Sequence, residues 1–475
     1  VSYAKSFKPG NFSNATEILS TQNLDKIIKA TFNFMQEIGV KFDKNDQAYD
    51  LLSKAGCDIS QDGMVRFPAK VIEACLSSVP KTFKWWNRAG TDFIEYGSGK
   101  TCFIADTKAP NYIDPYTGTR KPGDQAAAAL MARLVDALPE IDICGTPIST
   151  DNFIADNATT MANTTKPVFL TSGDIPDILK ATIELGAAIR KGAENLKEKP
   201  YFATIISPEV LHYTDVVIEQ TNLCTQNNIP VFIGTMPIGG ISSPVTIAGT
   251  LVVCLATVLS GVVLTQLLKQ GHPCNDTSFP TFMDPTTAGI GGIPENTMAD
   301  MARAQICRKL GIPVSQQTAL TAISREFNQD SIAEITWDFG ELATSSFDAF
   351  WGAGCVDAGL AFSPRSLVYA NELASLARRV WMGIPVTDDD LAIDKIKNVE
   401  PGMFIMEEHT ALHTMQDLWR GKFSLPLVQE TTESKKDLGE RISDHVKNLL
   451  DTHKVEPLSA PLCKALKDIV EKYKK

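Results

Sequence analysis

The chain has 475 residues, 44% of them hydrophobic and 21% charged, which is the balance of a folded enzyme. That length suits about three domains or one large barrel with additions. A net charge of −11 excludes nucleic acid and anionic membrane as main partners, because both demand basic patches. The ten cysteines contain no CxxC pair and sit mostly in apolar runs, as reduced, buried thiols do. Val1 to Asn14 is polar and basic with no apolar core, unlike a secretory leader, so a cytoplasmic location is expected.

Residues 1–123 read as an accessory α+β region. Leu24, Ile27, Ile28, Phe34, Met35 and Ile38 form a helical stripe that Gly39 stops. Two further helices, Asn45 to Ala55 and Pro68 to Ser78, follow, with short strands around Val65 and Phe83 to Trp85. FIEYGSGKTCFIAD, from Phe93 to Asp106, reads as a hairpin turning at Gly97 to Gly99. DPYTGTRKPGD is a turn-rich surface link, after which a helix from Asp124 to Leu138 opens the main domain, residues 124–433.

From Ile141 onward, short β-branched runs alternate with longer helical segments. The runs are IDICGTPIS, PVFLTSG, YFATIISP, PVFIGTM, DTSFPTFMD, IPVSQQ and SFDAFWGAG. Fully apolar strands separated by helices specify a parallel sheet, and this many units specify an α/β protein of the (β/α)8 TIM-barrel class. Gly402 to Met406 is the candidate for the eighth strand. Residues 434–475 are an amphipathic helical tail packed outside the barrel.

Gln220 to Leu268 contains no Asp, Glu, Lys, Arg or His. Its first half is the strand Ile229 to Gly234; its second half is a helix with Ser243 as N-cap and Pro244 at the first helical position. The helix is long enough to span a bilayer. Its Thr, Ser and Gln residues and the lack of a second such run favour a helix buried on all sides instead. A second subunit is the expected cover, so a homo-oligomer is expected.

In a barrel of this kind the active site lies on the loops after the strands. Acids there are few: Asp174, Glu209, Asp284 and Asp357. Met236, Phe282, Met283, Phe350 and Trp351 supply soft and aromatic surface instead, which suits a cation without N–H groups, such as a quaternary ammonium. Since strand residues alternate in direction, at most one of Phe350 and Trp351 faces the mouth. GIGGIPEN, from Gly289 to Asn296, reads as a mobile glycine-rich lid. His409 and His413 in EEHTALH have a metal-compatible spacing but not the HExxH order, so a surface role and no metal are expected.

The block IPVFIGTMPIGGISSPVTIAGTLVVCLATVLSGVVLTQLLKQG resembles the trimethylamine methyltransferase (MttB) superfamily. DPYTGTRKPG, ARLVDALPEID, TTAGIGGIPE, CRKLGIPV and PGMFIMEEHT extend the likeness over the whole chain in the same order. The resemblance implies a (β/α)8 barrel that moves a methyl group from a methylated amine to the cob(I)alamin of a separate corrinoid protein. That partner would cap the barrel mouth, and no cofactor would be bound tightly by this chain. Members that use trimethylamine carry pyrrolysine in the loop matching roughly Gln316 to Phe327; here it reads TALTAISREF, so the chain is similar to the members without pyrrolysine. Those act on quaternary amines such as glycine betaine, proline betaine, carnitine or butyrobetaine. For a betaine, loop N–H groups or Gln316, Gln317 and Arg325 would hold the carboxylate, and Asp357 would face the ammonium. Trp351 stands where many members have a histidine. The competing readings are a corrinoid-dependent demethylase of another N- or O-methyl compound, and an osmolyte-binding or assembly protein on the same barrel.

Overall fold

Apolar runs buried on both faces become parallel strands because helices can cover them on one side and a packed lumen on the other. The computed structural model describes residues 16–473 apart from 107, 174, 284–288, 290–293 and 424–435. Its main sheet has eight strands. In chain order they are Cys102–Ala105, Ile143–Gly145, Val168–Thr171, Phe202–Ile206, Val231–Ile233, Cys274–Asp276, Ser315–Gln316 and Ala349–Phe350. Each pairs in parallel with the next except the sixth with the seventh, and the last pairs with the first through Ala349 and Cys102. A parallel bridge between Asp276 and Val314 closes the ring, with Asp276 N–H donating to the Pro313 carbonyl at 2.9 Å.

One principal helix follows each strand: Gln125–Ala137, Phe153–Ala162, Pro176–Ile189, Asp215–Asn227, Ile247–Leu268, Pro294–Leu310, Gln329–Leu342 and Pro364–Trp381. This is the expected (β/α)8 barrel. The tail helices Leu438–Thr452 and Ala460–Lys472 pack on its outside, against Gln125–Ala137 and Pro176–Ile189 among others.

Three strand expectations are corrected. Cys102–Ala105, expected as the second arm of a hairpin, is the first strand of the barrel, so the barrel takes up the chain before residue 124. Gly402 to Met406 is no strand: Phe404–Met406 is one exposed 3-10 turn. The sixth strand, Cys274–Asp276, ends on the first residue of DTSFPTFMD, and Thr281–Phe282 pairs with Ile238–Gly239 at the mouth instead.

The hairpin is also displaced. Phe83–Trp86 pairs antiparallel with Phe93–Tyr96, and Gly97 and Gly99, both with positive φ, carry the chain onward into the barrel. This hairpin plugs the N-terminal end of the lumen. Trp85 Nε1–H donates to the Tyr201 carbonyl at 3.2 Å, and the Tyr96 hydroxyl donates to Asn275 Oδ1 at 2.9 Å.

The uncharged helix is Ile247–Leu268, and it starts three residues later than expected. Ser243 is held in a tight loop, its carbonyl accepting from Gly240 N–H at 2.8 Å and its own N–H reaching Ile238 O at 3.2 Å, so helical turns begin only beyond it. Most of its cover comes from the same chain. The helices Thr21–Glu37, Asp46–Ala55 and Ala69–Ser78 pack on it from the N-terminal region, and Asp215–Asn227 and Pro294–Leu310 flank it. Leu24 and Ile27 meet Leu251, Leu255, Ala302 and Ile306 in one buried cluster. Among the described residues this is the single helix long and apolar enough to cross a membrane, and 78% of its most apolar window is buried.

Candidate active site

Strand alternation sorts the side chains of the barrel. Ile104, Ile143, Phe169, Ala203, Phe232 and Ala349 fill the lumen, with Asn275 beneath the polar side. Two residues further along each strand, the next inward layer is Asp106, Gly145, Thr171, Ile205, Gly234, Thr277, Gln317 and Trp351. This layer floors the C-terminal mouth. Its glycines make room: a Cβ on Gly145 would lie 2.1 Å from Asp106 Cβ, and one on Gly234 would lie 2.6 Å from Ile205 Cδ1.

One side of the floor is aromatic. The Trp351 ring lies 4.3 Å from that of Phe169 and 6.0 Å from that of Phe232, centroid to centroid. Trp351 is 4% exposed, and its indole Nε1–H is buried with no hydrogen-bond partner among the described residues. Leaving such a donor unpaired costs about 1–3 kcal/mol, so a partner for it is favoured.

The sixth and seventh strands, between those of Phe232 and Trp351, carry a polar ladder. Asn275 Nδ2 donates to Ser315 Oγ at 3.0 Å, Ser315 Oγ to Thr277 Oγ1 at 2.9 Å, and Gln317 Nε2 to the Thr277 carbonyl.

At the end of the first strand, next to that of Trp351, stands an ion pair. Asp106 Oδ1 accepts Thr146 N–H at 2.9 Å, and Oδ2 lies 2.9 Å from Lys108 Nζ. Burial pushes the Asp106 carboxyl above its ordinary range, against the pull of Lys108. Lys108 adopts φ +48°, a left-handed backbone unusual for a side chain of its size, and its Nζ sits 5.7 Å above the Phe169 ring. Strain of this kind collects at functional positions. Near the rim, burial pushes the Cys355 thiol up to about 11, which leaves no thiolate nucleophile there.

The residues expected at the site separate into groups. Trp351 and Gln317 reach the lumen. Phe350 points away from it and packs among Phe103, Phe339, Phe347 and Trp381, outside the sheet. Gln316 also turns outward, where Nε2 donates to Asp300 Oδ2 at 3.0 Å beside the buried Arg303. Phe282 lies on the Gly239 backbone at the rim, and Met236 is 48% exposed. Asp357 lies 2.6 Å from Arg120, and the exposed Arg325 lies 3.9 Å from the same carboxylate. Glu209 bonds His212 Nδ1 at 2.9 Å. Asp174, Asp284 and residues 290–293 of the glycine-rich loop lie outside the described residues. Asp106, Lys108, Phe169 and Phe232 are absent from the sequence-derived set. Their signal was present: CFIA, buried at every position, is a parallel-strand pattern.

Comparison with other proteins agrees with this architecture. The chain is 27% identical to trimethylamine methyltransferase MttB of Desulfitobacterium hafniense over 468 residues, covering 95% of this chain and 93% of that protein. MttB of Methanosarcina barkeri is 26% identical over 97% of this chain and 96% of its own length. A glycine betaine methyltransferase of D. hafniense is 23% identical, with 88% and 89% covered. The crystal structure of the hydroxylamine MtmB complex superposes with a TM-score of 0.50 over 94% of this chain and 93% of that one, at 13% identity, a likeness of fold. Residues 5–475 match the trimethylamine methyltransferase (MTTB) family, and the chain belongs to it.

Proposed function

We propose that this methyltransferase takes its methyl group from a betaine, a quaternary amine that carries its own carboxylate. The acceptor is the cob(I)alamin of a separate corrinoid protein docked over the barrel mouth. The observation that carries this reading is the orphaned Trp351 N–H beside the Phe169 face that Lys108 already occupies. A bare cation brought to that face would be repelled by Lys108. A zwitterion would not: its carboxylate meets Lys108 Nζ and the indole N–H, while its methyl groups rest on the aromatic surface. Asp106 keeps Lys108 in place through their 2.9 Å contact.

The energetics suit turnover. A hydrogen bond to a charged group contributes about 1.5–3 kcal/mol, and cation–π contact about 0.5–2 kcal/mol. Positive charge leaves nitrogen as the methyl group departs, so a stronger aromatic cage would stabilise substrate over transition state. The corrinoid supplies a reduced cobalt nucleophile for the methyl carbon. The electron pair of the broken C–N bond stays on nitrogen, so the amine leaves neutral and no side chain has to donate a proton. What remains for this chain is to aim one methyl group out of the mouth and to exclude water. The relationship to a glycine betaine methyltransferase supports the substrate class.

Incubation with cob(I)alamin and a panel of betaines, followed by visible spectroscopy, tests the proposal. Methylation of the cobalt by at least one carboxylate-bearing quaternary amine is expected. No transfer from any of them would overturn the reading, and tight binding without transfer would point to an osmolyte-binding protein.

A further inference from the structure

Beyond the last barrel helix, residues 382–420 carry the short helices Asp388–Leu391, Ile393–Asn398 and Glu408–Gln416, and none of these residues is buried. Ile384, Val386, Ile405 and Met406 are between 71% and 87% exposed. Trp419 Nε1–H donates to Ser375 Oγ at 3.0 Å and Arg379 Nε–H to the Asp417 carbonyl at 3.3 Å, which ties the end of the segment to the last barrel helix. Its short helices have no buried core and gain most from a further tie.

We propose that Asp389, His409 and His413 form a site for one divalent transition metal of the zinc class, which pins the first of these helices to the last. One ligand atom from each of the three residues lies within 4.8 Å of the other two. His413 Nε2 and Asp389 Oδ2 are 3.2 Å apart. That is about the edge of a tetrahedron around a cation with bonds near 2.0–2.1 Å. The two imidazoles, one helical turn apart, have ring centroids 4.0 Å apart, and His409 Nε2–H donates to the Asp389 carbonyl oxygen at 3.0 Å, so Nδ1 is the nitrogen it offers a metal.

The surroundings fit the same role. Asp417 hydrogen-bonds His413 Nδ1. A carboxylate behind the imidazole fixes the tautomer, so the Nε2 lone pair points at the Asp389 carboxylate. Two negative ends face each other across that gap unless a proton or a metal lies between them. Asp390 groups with His413 and Asp417 in a second such cluster, but it accepts from Thr387 N–H and Oγ1 as a helix cap and stays outside the set. Two imidazole nitrogens and one carboxylate oxygen select zinc or its neighbours over magnesium and calcium, with water completing the coordination.

The test uses the untagged full-length chain, stripped with chelator and dialysed against Zn2+, with bound metal measured by mass spectrometry. One zinc per chain is expected, with slowed amide hydrogen exchange across residues 388–416. Asp389→Asn and His413→Ala should each lower zinc affinity at least tenfold. Asp417→Asn, which leaves the three ligands intact, should weaken it by about 10–100-fold. No zinc retained at ~10 µM free metal, or wild-type binding by both ligand variants, would overturn the proposal and leave a protonated His413 between two carboxylates.

Discussion

At the scale of single residues, the proposed substrate class turns on two donors. Trp351→Phe keeps an aromatic ring against Phe169 and removes only the N–H. It should raise KM for a betaine five- to tenfold, about 1–1.5 kcal/mol, while leaving tetramethylammonium binding unchanged. Lys108→Met should cost a betaine about 1.5–3 kcal/mol and improve binding of the carboxylate-free cation, because it removes both an anion partner and a repulsive charge. Titration calorimetry with the two ligands reads both effects; equal losses for both ligands would remove the carboxylate assignment. How much of this site was legible follows from period-two geometry. Alternation predicted that only one of Phe350 and Trp351 faces the mouth, and Trp351 is the one. It could not place Asp106 and Lys108, because their strand was read as the second arm of a hairpin. Gln316, Asp357 and Arg325 were plausible by residue type alone. Their partners, Asp300 and Arg120, are remote in sequence, and nothing local marks those pairings.

At the scale of elements, the strands whose neighbours are flanked by regular helices were visible from composition. The first barrel strand was hidden because the glycines before it imitate a turn, while its partner Ala349 lies far along the chain. The uncharged helix shows the opposite limit. Its length and apolarity were plain, but what covers it depends on the tertiary placement of Thr21–Glu37 and its neighbours. Tight packing on that helix makes a sharp prediction. A Cβ on Gly261 would lie 2.2 Å from the Tyr213 hydroxyl oxygen, whose hydroxyl donates to the Thr257 carbonyl at 2.8 Å. Gly261→Val should therefore destabilise by about 1–3 kcal/mol through overpacking. In urea melts the midpoint should fall with the slope unchanged.

At the scale of the whole molecule, one buried acid ties stability to pH. Asp348, at the N-terminal edge of the last strand, accepts Val314 N–H at 2.8 Å, and burial pushes its carboxyl up from 3.8 to about 6. The folded state therefore binds this proton more tightly than the unfolded chain. The associated stability is complete below about pH 4 and is lost as pH rises through about 6. Asp348→Asn should flatten the pH dependence across that window and add about 2–3 kcal/mol at pH 7.5. An unchanged slope in denaturation from pH 4 to 6.5 would show that Asp348 does not set it.

The cover over the uncharged helix also has a meaning in time. Residues 21–78, which supply that cover, leave the ribosome before any of Ile247–Leu268 is made. At about 5–20 residues per second they precede it by roughly 10–40 s. The most apolar segment of the chain thus emerges onto a surface already synthesised to receive it. Deleting residues 1–80 would reverse that order, leaving during translation a nascent segment with the length and hydropathy of a membrane anchor. Such a chain should partition with membranes on cell fractionation while the full chain does not.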